Sequence, residues 1–192
     1  MIVTPLNVTF DVTKSIEYYN QLETNWKNLK WNMPEDFYYE TLRGIYGWSL
    51  LIPNEADASK PHRSDQNLDV LHRKNFKETS VVFGFGKTVV DVFPTAFRML
   101  IGASPPGTHF KPHIDGNADT VVRGWMPIIT DPSIKWITKE GVANLQPGKV
   151  YLIDIGYEHE VINEGSTVGV ALVFDVLRED IEQVKQISKV IT

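Results

Sequence analysis

Residues 107–116 read GTHFKPHIDG, the most informative stretch of the chain. Residues two apart in an extended strand point to the same face. His113 and Asp115 would therefore present an imidazole and a carboxylate side by side. A second stretch, GYEHEVINEG at 156–165, supplies His159, 44 residues after Asp115. That gap lets the chain go out and return, so His159 is expected on a neighbouring strand. Two imidazoles and one carboxylate on one side of a divalent metal leave its other side open. Taken singly, each residue has a plainer reading. An isolated histidine is more often a core or surface residue, and Asp115 in Ile-Asp-Gly-Asn also suits a turn. The surroundings favour the metal.

Moving outward, the sequence predicts strands at Phe97–Ala103, His109–Ile114, Val121–Ile128, Ile134–Ile137, Lys149–Ile155, His159–Asn163 and Thr167–Val176. Ser104-Pro-Pro-Gly107, Asp131-Pro-Ser133 and Gln146-Pro-Gly148 punctuate them as turns. Many short strands so separated predict a mainly β chain, a double-stranded β-helix of the jelly-roll, cupin-like kind. Helices flank it. Ile16, Tyr19, Leu22, Trp26 and Leu29 recur at helical spacing after Asp11, which with Thr13 is a candidate cap. Ile181, Val184, Ile187 and Ile191 form a stripe over Arg178–Ile191. Between them the sequence suggests a strand at Gly47–Ile52, a polar surface loop at Pro53–Asn67, a short helix or irregular piece at Leu68–Lys77 and a strand at Thr79–Phe85. At 192 residues, one domain is expected: 97–175 the metal-binding core, 1–96 and 176–192 its support.

Composition narrows the function. Hydrophobic residues make up 42%, enough for a core. There is no apolar run of about 18 residues, and MIVTPLNVTF does not read as a secretory signal. Cysteine is absent, which excludes disulfides, thiolate metal sites and a cysteine nucleophile. A net charge of −5 argues against a broad nucleic-acid surface. The expectation is a soluble cytoplasmic protein with no nucleic-acid or membrane partner.

The order of these pieces carries a resemblance. His113-Ile-Asp115 is followed by Arg123-Gly-Trp-Met-Pro-Ile, then by the turn and strand Pro147-Gly-Lys-Val-Tyr-Leu-Ile-Asp, then by His159-Glu-Val-Ile-Asn163 and the apolar run Val168–Asp175. Over roughly 97–175 this resembles the 2-oxoglutarate/Fe(II)-dependent dioxygenases, most closely their aspartyl/asparaginyl β-hydroxylase-like branch. The resemblance implies Fe(II) held by His113, Asp115 and His159, with 2-oxoglutarate as cosubstrate and an amino-acid or peptide side chain as the hydroxylated substrate. It also implies an arginine ten positions after the distal histidine. Here that position is Gly169, and no Lys or Arg lies between Lys149 and Arg178. The cation for the far carboxylate of the cosubstrate must come from elsewhere. Arg123, ten residues after His113, is the first candidate, Arg98 the second and Lys111 a distant third. Trp125 and Tyr151 are candidate walls of the cosubstrate pocket, small Gly169 and Ala171 would leave it room or pack closely, His109, on the parity of His113, is an alternative ligand or would line its entrance, and Asn163 would steady the His159 loop. His62 and His72 read as surface residues.

Two other functions fit the same residues: a cupin-like metalloprotein with another cosubstrate, and a non-catalytic jelly-roll binding module. Lys60, His62, Arg63, His72, Arg73 and Lys74 form the densest basic cluster of an acidic chain, a candidate attractor for an acidic substrate.

Overall fold

The chain opens with β1 (Val3–Phe10), in which Leu6, Val8 and Phe10 are buried and alternate with exposed Pro5, Asn7 and Thr9. Asp11 then caps α1 (Val12–Lys27), its Oδ1 accepting the Lys14 N–H at 3.1 Å. The computed structural model describes residues 1–27, 38–40, 45–54, 72–115 and 119–191. Next come β2 (Tyr38–Glu40), β3 (Tyr46–Ser49), β4 (Leu51–Pro53), β5 (Phe76–Glu78) and α2 (Gly84–Val92). The barrel strands follow: β6 (Phe97–Ser104), β7 (His109–His113), β8 (Val121–Ile129), β9 (Ile134–Thr138) and β10 (Gly141–Ala143). The chain then runs through β11 (Lys149–Ile153), β12 (His159–Asn163), β13 (Gly169–Leu177), α3 (Ile181–Lys185) and β14 (Lys189–Ile191).

Two sheets enclose the interior. The larger has strand order β14-β1-β11-β8-β13-β6-β3-β2, and the smaller β10-β9-β12-β7. All described pairs are antiparallel except β1 with β14. The result is the expected double-stranded β-helix with helices packed beside it.

The two faces of the larger sheet differ. Met99, Ile101, Met126, Leu172, Phe174 and Val176 point outward and are fully buried. Helices cover this face. Phe93, which ends α2, stacks on Phe174 at 4.6 Å, and Phe10 and Tyr18 meet Phe85. Gly124 is required here, because a Cβ would overlap the Phe174 ring. The alternate residues, Leu100, Gly102, Trp125, Val173 and Asp175, face the interior cavity.

The sequence reading needs correction at the edges. Thr79–Phe85 is a turn leading into α2, not a strand; the Phe83 N–H bonds back to the Val81 carbonyl, and Gly84 adopts φ +49°. The predicted C-terminal helix shrinks to a 3₁₀ turn, Arg178–Asp180, and α3. Residues Lys189–Ile191 instead extend along β1, where the Ile191 carbonyl accepts the Asp11 N–H at 2.8 Å. An open strand edge outweighs helical periodicity there. Strands β1 and β10 and helix α2 were not legible. The Leu29 end of the first helix and nearly all of the Pro53–Asn67 loop fall outside the described residues. Among those described, no helix is long and apolar enough to cross a membrane.

Candidate metal centre and cosubstrate cavity

His113 ends β7, Asp115 follows it, and His159 begins β12. The two strands are antiparallel neighbours with His159 directly opposite His113. One ligand atom from each of the three residues lies within 4.8 Å of the others. His113 Nε2 is 3.5 Å from Asp115 Oδ1.

The backbone orients both imidazoles in the same way. His113 Nδ1 donates to the Lys111 carbonyl at 2.7 Å, and His159 Nδ1 donates to the Tyr157 carbonyl at 3.0 Å. A carbonyl only accepts, so each ring carries its proton on Nδ1 and presents the Nε2 lone pair. His159 also stacks on Trp136, with centroids 5.1 Å apart and planes 15° apart. Burial pushes its pKa below the ordinary imidazole value, favouring the neutral form that ligates metal. Two imidazole nitrogens and one carboxylate oxygen converging from one side fit Fe(II), and the chain has no thiolate to favour a softer ion.

A chain of charges runs from this cluster into the sheet. Asp115 Oδ2 accepts Arg123 Nη1 at 2.7 Å. Asp175 Oδ1 accepts Arg123 Nε at 3.1 Å, and Asp175 Oδ2 accepts Arg98 Nη2 at 2.7 Å. Asp175 is 2% exposed and Arg98 9%. Burying such charges is costly unless they are paired. Burial works against the Arg123 charge, but the Asp175 and Asp115 carboxylates outweigh it and hold the guanidinium above its ordinary pKa. Arg98 reaches Asp175 from a β-bulge: two residues of β6, Arg98 and Met99, oppose Phe174 of β13. Its φ of +46° lies in the left-handed region, a strained conformation for a non-glycine residue.

The triad and both arginines open onto a cavity of about 290 Å³, whose other walls include Leu100, Phe110, Trp125, Val161 and Val173. Trp125 and Trp136 meet edge to face at 5.0 Å, and both also line an adjoining apolar cavity of about 30 Å³. Gly169 lies on that smaller cavity, with Pro127, Ile134 and Leu145. A Cβ on Gly169 would sit 2.9 Å from Ile134 Cδ1. That approach is the close packing the sequence allowed as one of two readings, while the adjoining cavity keeps the other, room beside the strand, open.

The other sequence candidates divide. Trp125 does line the cavity. Tyr151 does not: it is buried in the core, its hydroxyl accepting the Gln146 N–H at 2.9 Å. His109 turns away and pairs with Glu160, because a register shift between β7 and β12 breaks the alternation that His113 and His109 would otherwise share. Lys111 is exposed and contributes its carbonyl rather than its charge. Asn163 is buried and donates to the Ser104 and Thr167 carbonyls, pinning the end of β12. Of the basic cluster, Lys60, His62 and Arg63 lie outside the described residues. Arg73 is bound to the Phe76 carbonyl of its own turn at 2.7 Å. Asp175 was missed. Its signal was a single carboxylate inside the apolar run GVALVFDVL, which demands a buried cation.

The fold and the cluster together define a β-barrel with a candidate two-histidine, one-carboxylate metal centre. The family model for aspartyl/asparaginyl β-hydroxylases matches residues 60–179, and the chain belongs to that family. A search of the curated proteins found no match. Among solved structures, the chain is similar to a prolyl hydroxylase from Trichoplax adhaerens in complex with a hypoxia-inducible-factor oxygen degradation domain peptide fragment. The TM-score is 0.54 at 12% identity, covering 98% of this chain and 87% of that one. A 2OG-Fe(II) oxygenase family oxidoreductase from Burkholderia pseudomallei gives 0.50 at 12% identity, covering 84% and 88%. At such identities the likeness is one of fold.

Proposed function

We propose that the chain is an Fe(II)- and 2-oxoglutarate-dependent hydroxylase acting on an amino-acid side chain. The observation that carries this reading is the charge arrangement beside the triad. Arg98 and Arg123 balance Asp115 and Asp175, so the four side chains sum to zero. A dication at His113, Asp115 and His159 would leave the cavity with two positive charges. A dicarboxylate cosubstrate restores the balance. We assign its far carboxylate to the Arg98–Arg123 pair, the arginines that line the cavity among the described residues.

Bound there, Fe(II) with 2-oxoglutarate and O₂ supplies the oxidation of an unactivated C–H bond, with succinate and CO₂ as co-products. The chain's own work is positional. The Lys111 and Tyr157 carbonyls hold the imidazoles in register, Arg123 holds Asp115, and Leu100, Phe110, Trp125 and Val173 give the cavity apolar walls. For the substrate we favour a peptide or protein side chain over a free amino acid. Ile114 and Tyr157 expose apolar surface next to the ligands, 58% and 44% exposed, where a chain flanking the target residue would lie.

An anaerobic Fe(II) titration should find one tight site in the wild type, abolished in both His113→Ala and Asp115→Ala. Adding 2-oxoglutarate, O₂ and a panel of peptides and free amino acids should form succinate and add one oxygen atom to a substrate. A second reading, a cupin-like metalloprotein with a different cosubstrate, draws on the apolar surroundings of Gly169. Metal binding without 2-oxoglutarate-dependent succinate would select it. Unchanged Fe(II) affinity in both variants would reject the metal centre itself.

A further inference from the structure

Asp175 is the charged residue of β13, and it sits between arginines from the strands on either side. Arg123 is its direct register partner on β8, and Arg98 comes from the bulge of β6. A carboxylate needed only to neutralise one buried arginine would not require a second one held in strained backbone. The far side of Arg123 shows what the arrangement does. Its Nη1 donates to Asp115 Oδ2, while Asp115 Oδ1 faces His113 Nε2. The two oxygens of the candidate metal ligand are thus divided, one on a guanidinium and one beside the imidazoles.

We propose that Asp175 is a positioning residue for the metal centre: by fixing Arg123 it keeps one Asp115 oxygen off the metal and makes Asp115 a single-oxygen ligand. A carboxylate free to rotate could chelate through both oxygens and occupy a position that cosubstrate or O₂ needs. Arg98 anchors Asp175 from behind, so Asp175 acts on Asp115 through Arg123 without touching the metal. This proposal rests on the metal reading above.

Mn(II) is the probe, titrated into the 192-residue chain, with free ion counted by electron paramagnetic resonance. Asp175→Asn alone changes the local charge, so the decisive variant is Arg98→Met with Asp175→Asn, which keeps the net charge of the cavity. It should bind Mn(II) about tenfold more weakly than wild type, the usual size of a loss behind a metal ligand, because the strained four-membered chelate of a freed carboxylate does not make up for the lost orientation of Asp115. The bound-Mn(II) spectrum should change as well, reporting a second coordinated oxygen. Adding Arg123→Gln to this variant should weaken binding no further, since both changes break the same link. Wild-type affinity and spectrum in the charge-balanced variant would overturn the proposal, as would losses that multiply. Should that variant fail to fold, Arg123→Lys serves: one ammonium cannot bridge Asp115 and Asp175 as the guanidinium does, so binding should again fall about tenfold, and unchanged binding refutes the proposal. A wild type with no tight Mn(II) site would instead sink the metal reading, so the two failures are distinct.

Discussion

The two ends of β13 face the same interior and could hardly differ more. At Asp175 the strand carries a buried carboxylate locked between two guanidinium groups and joined through one of them to the candidate metal ligands. At Gly169, roughly 20 Å away by strand rise, it carries no side chain and lies against Ile134 in an apolar recess. Both positions are odd-numbered residues of one regular strand, so the fold itself permits a cation near either end. The resemblance to the hydroxylases places an arginine at the Gly169 end. This chain closes that end with aliphatic packing and gathers its positive charge on β6 and β8 instead. A strand fixes which face a side chain occupies; single residues decide which end of that face is charged.

The largest effects are expected at the two arginines. Each charge-assisted hydrogen bond is worth roughly 1.5–3 kcal/mol. Arg98→Met should therefore weaken 2-oxoglutarate binding to the Fe(II)-loaded protein by about tenfold to a hundredfold while largely keeping metal affinity. Arg123→Met should weaken both, because Arg123 also holds Asp115. Anaerobic titrations of metal and then of cosubstrate separate the two losses. Equal, small effects from both substitutions would show that the charged end is structural and that the cosubstrate binds elsewhere.

How much of this could be read from the sequence follows the range of the interactions. The triad was legible because its geometry is local: Asp115 lies two residues after His113, just past the end of β7 rather than on it, and one return of the chain brings His159. The jelly roll was legible from turn chemistry between short runs. His109 was misread because a bulge is invisible to alternation counted by twos. Tyr151 was misread because the sequence places its strand but not the Gln146 N–H that claims its hydroxyl. Arg123 was found, but as a cation awaiting a ligand; its engagement with Asp115 and Asp175 depends on contacts 8 and 52 residues away along the chain. The C-terminal helix failed for a tertiary reason, the open edge of β1.

The smallest expected effect lies at the apolar end, in Gly169→Ala. The new Cβ would lie 2.9 Å from Ile134 Cδ1, closer than atoms pack, but that atom is the far end of a flexible side chain beside a cavity of about 30 Å³. Ile134 can turn aside. Overpacking that forces a rigid core costs about 1–3 kcal/mol. Here the cost is eased by that movement and offset by the 0.5–1 kcal/mol or so that alanine gains over glycine inside a strand. The net change should stay within about 1 kcal/mol, a shift of roughly 2–4 °C in Tm for a chain of this size. Fe(II) and 2-oxoglutarate affinities should match wild type, because the proposed cosubstrate contacts are at the other end of β13. Thermal unfolding and the same two titrations check this. A tenfold loss of 2-oxoglutarate affinity in Gly169→Ala, with stability intact, would mean that the cosubstrate reaches into the apolar recess, and the assignment of the two ends would have to be reversed.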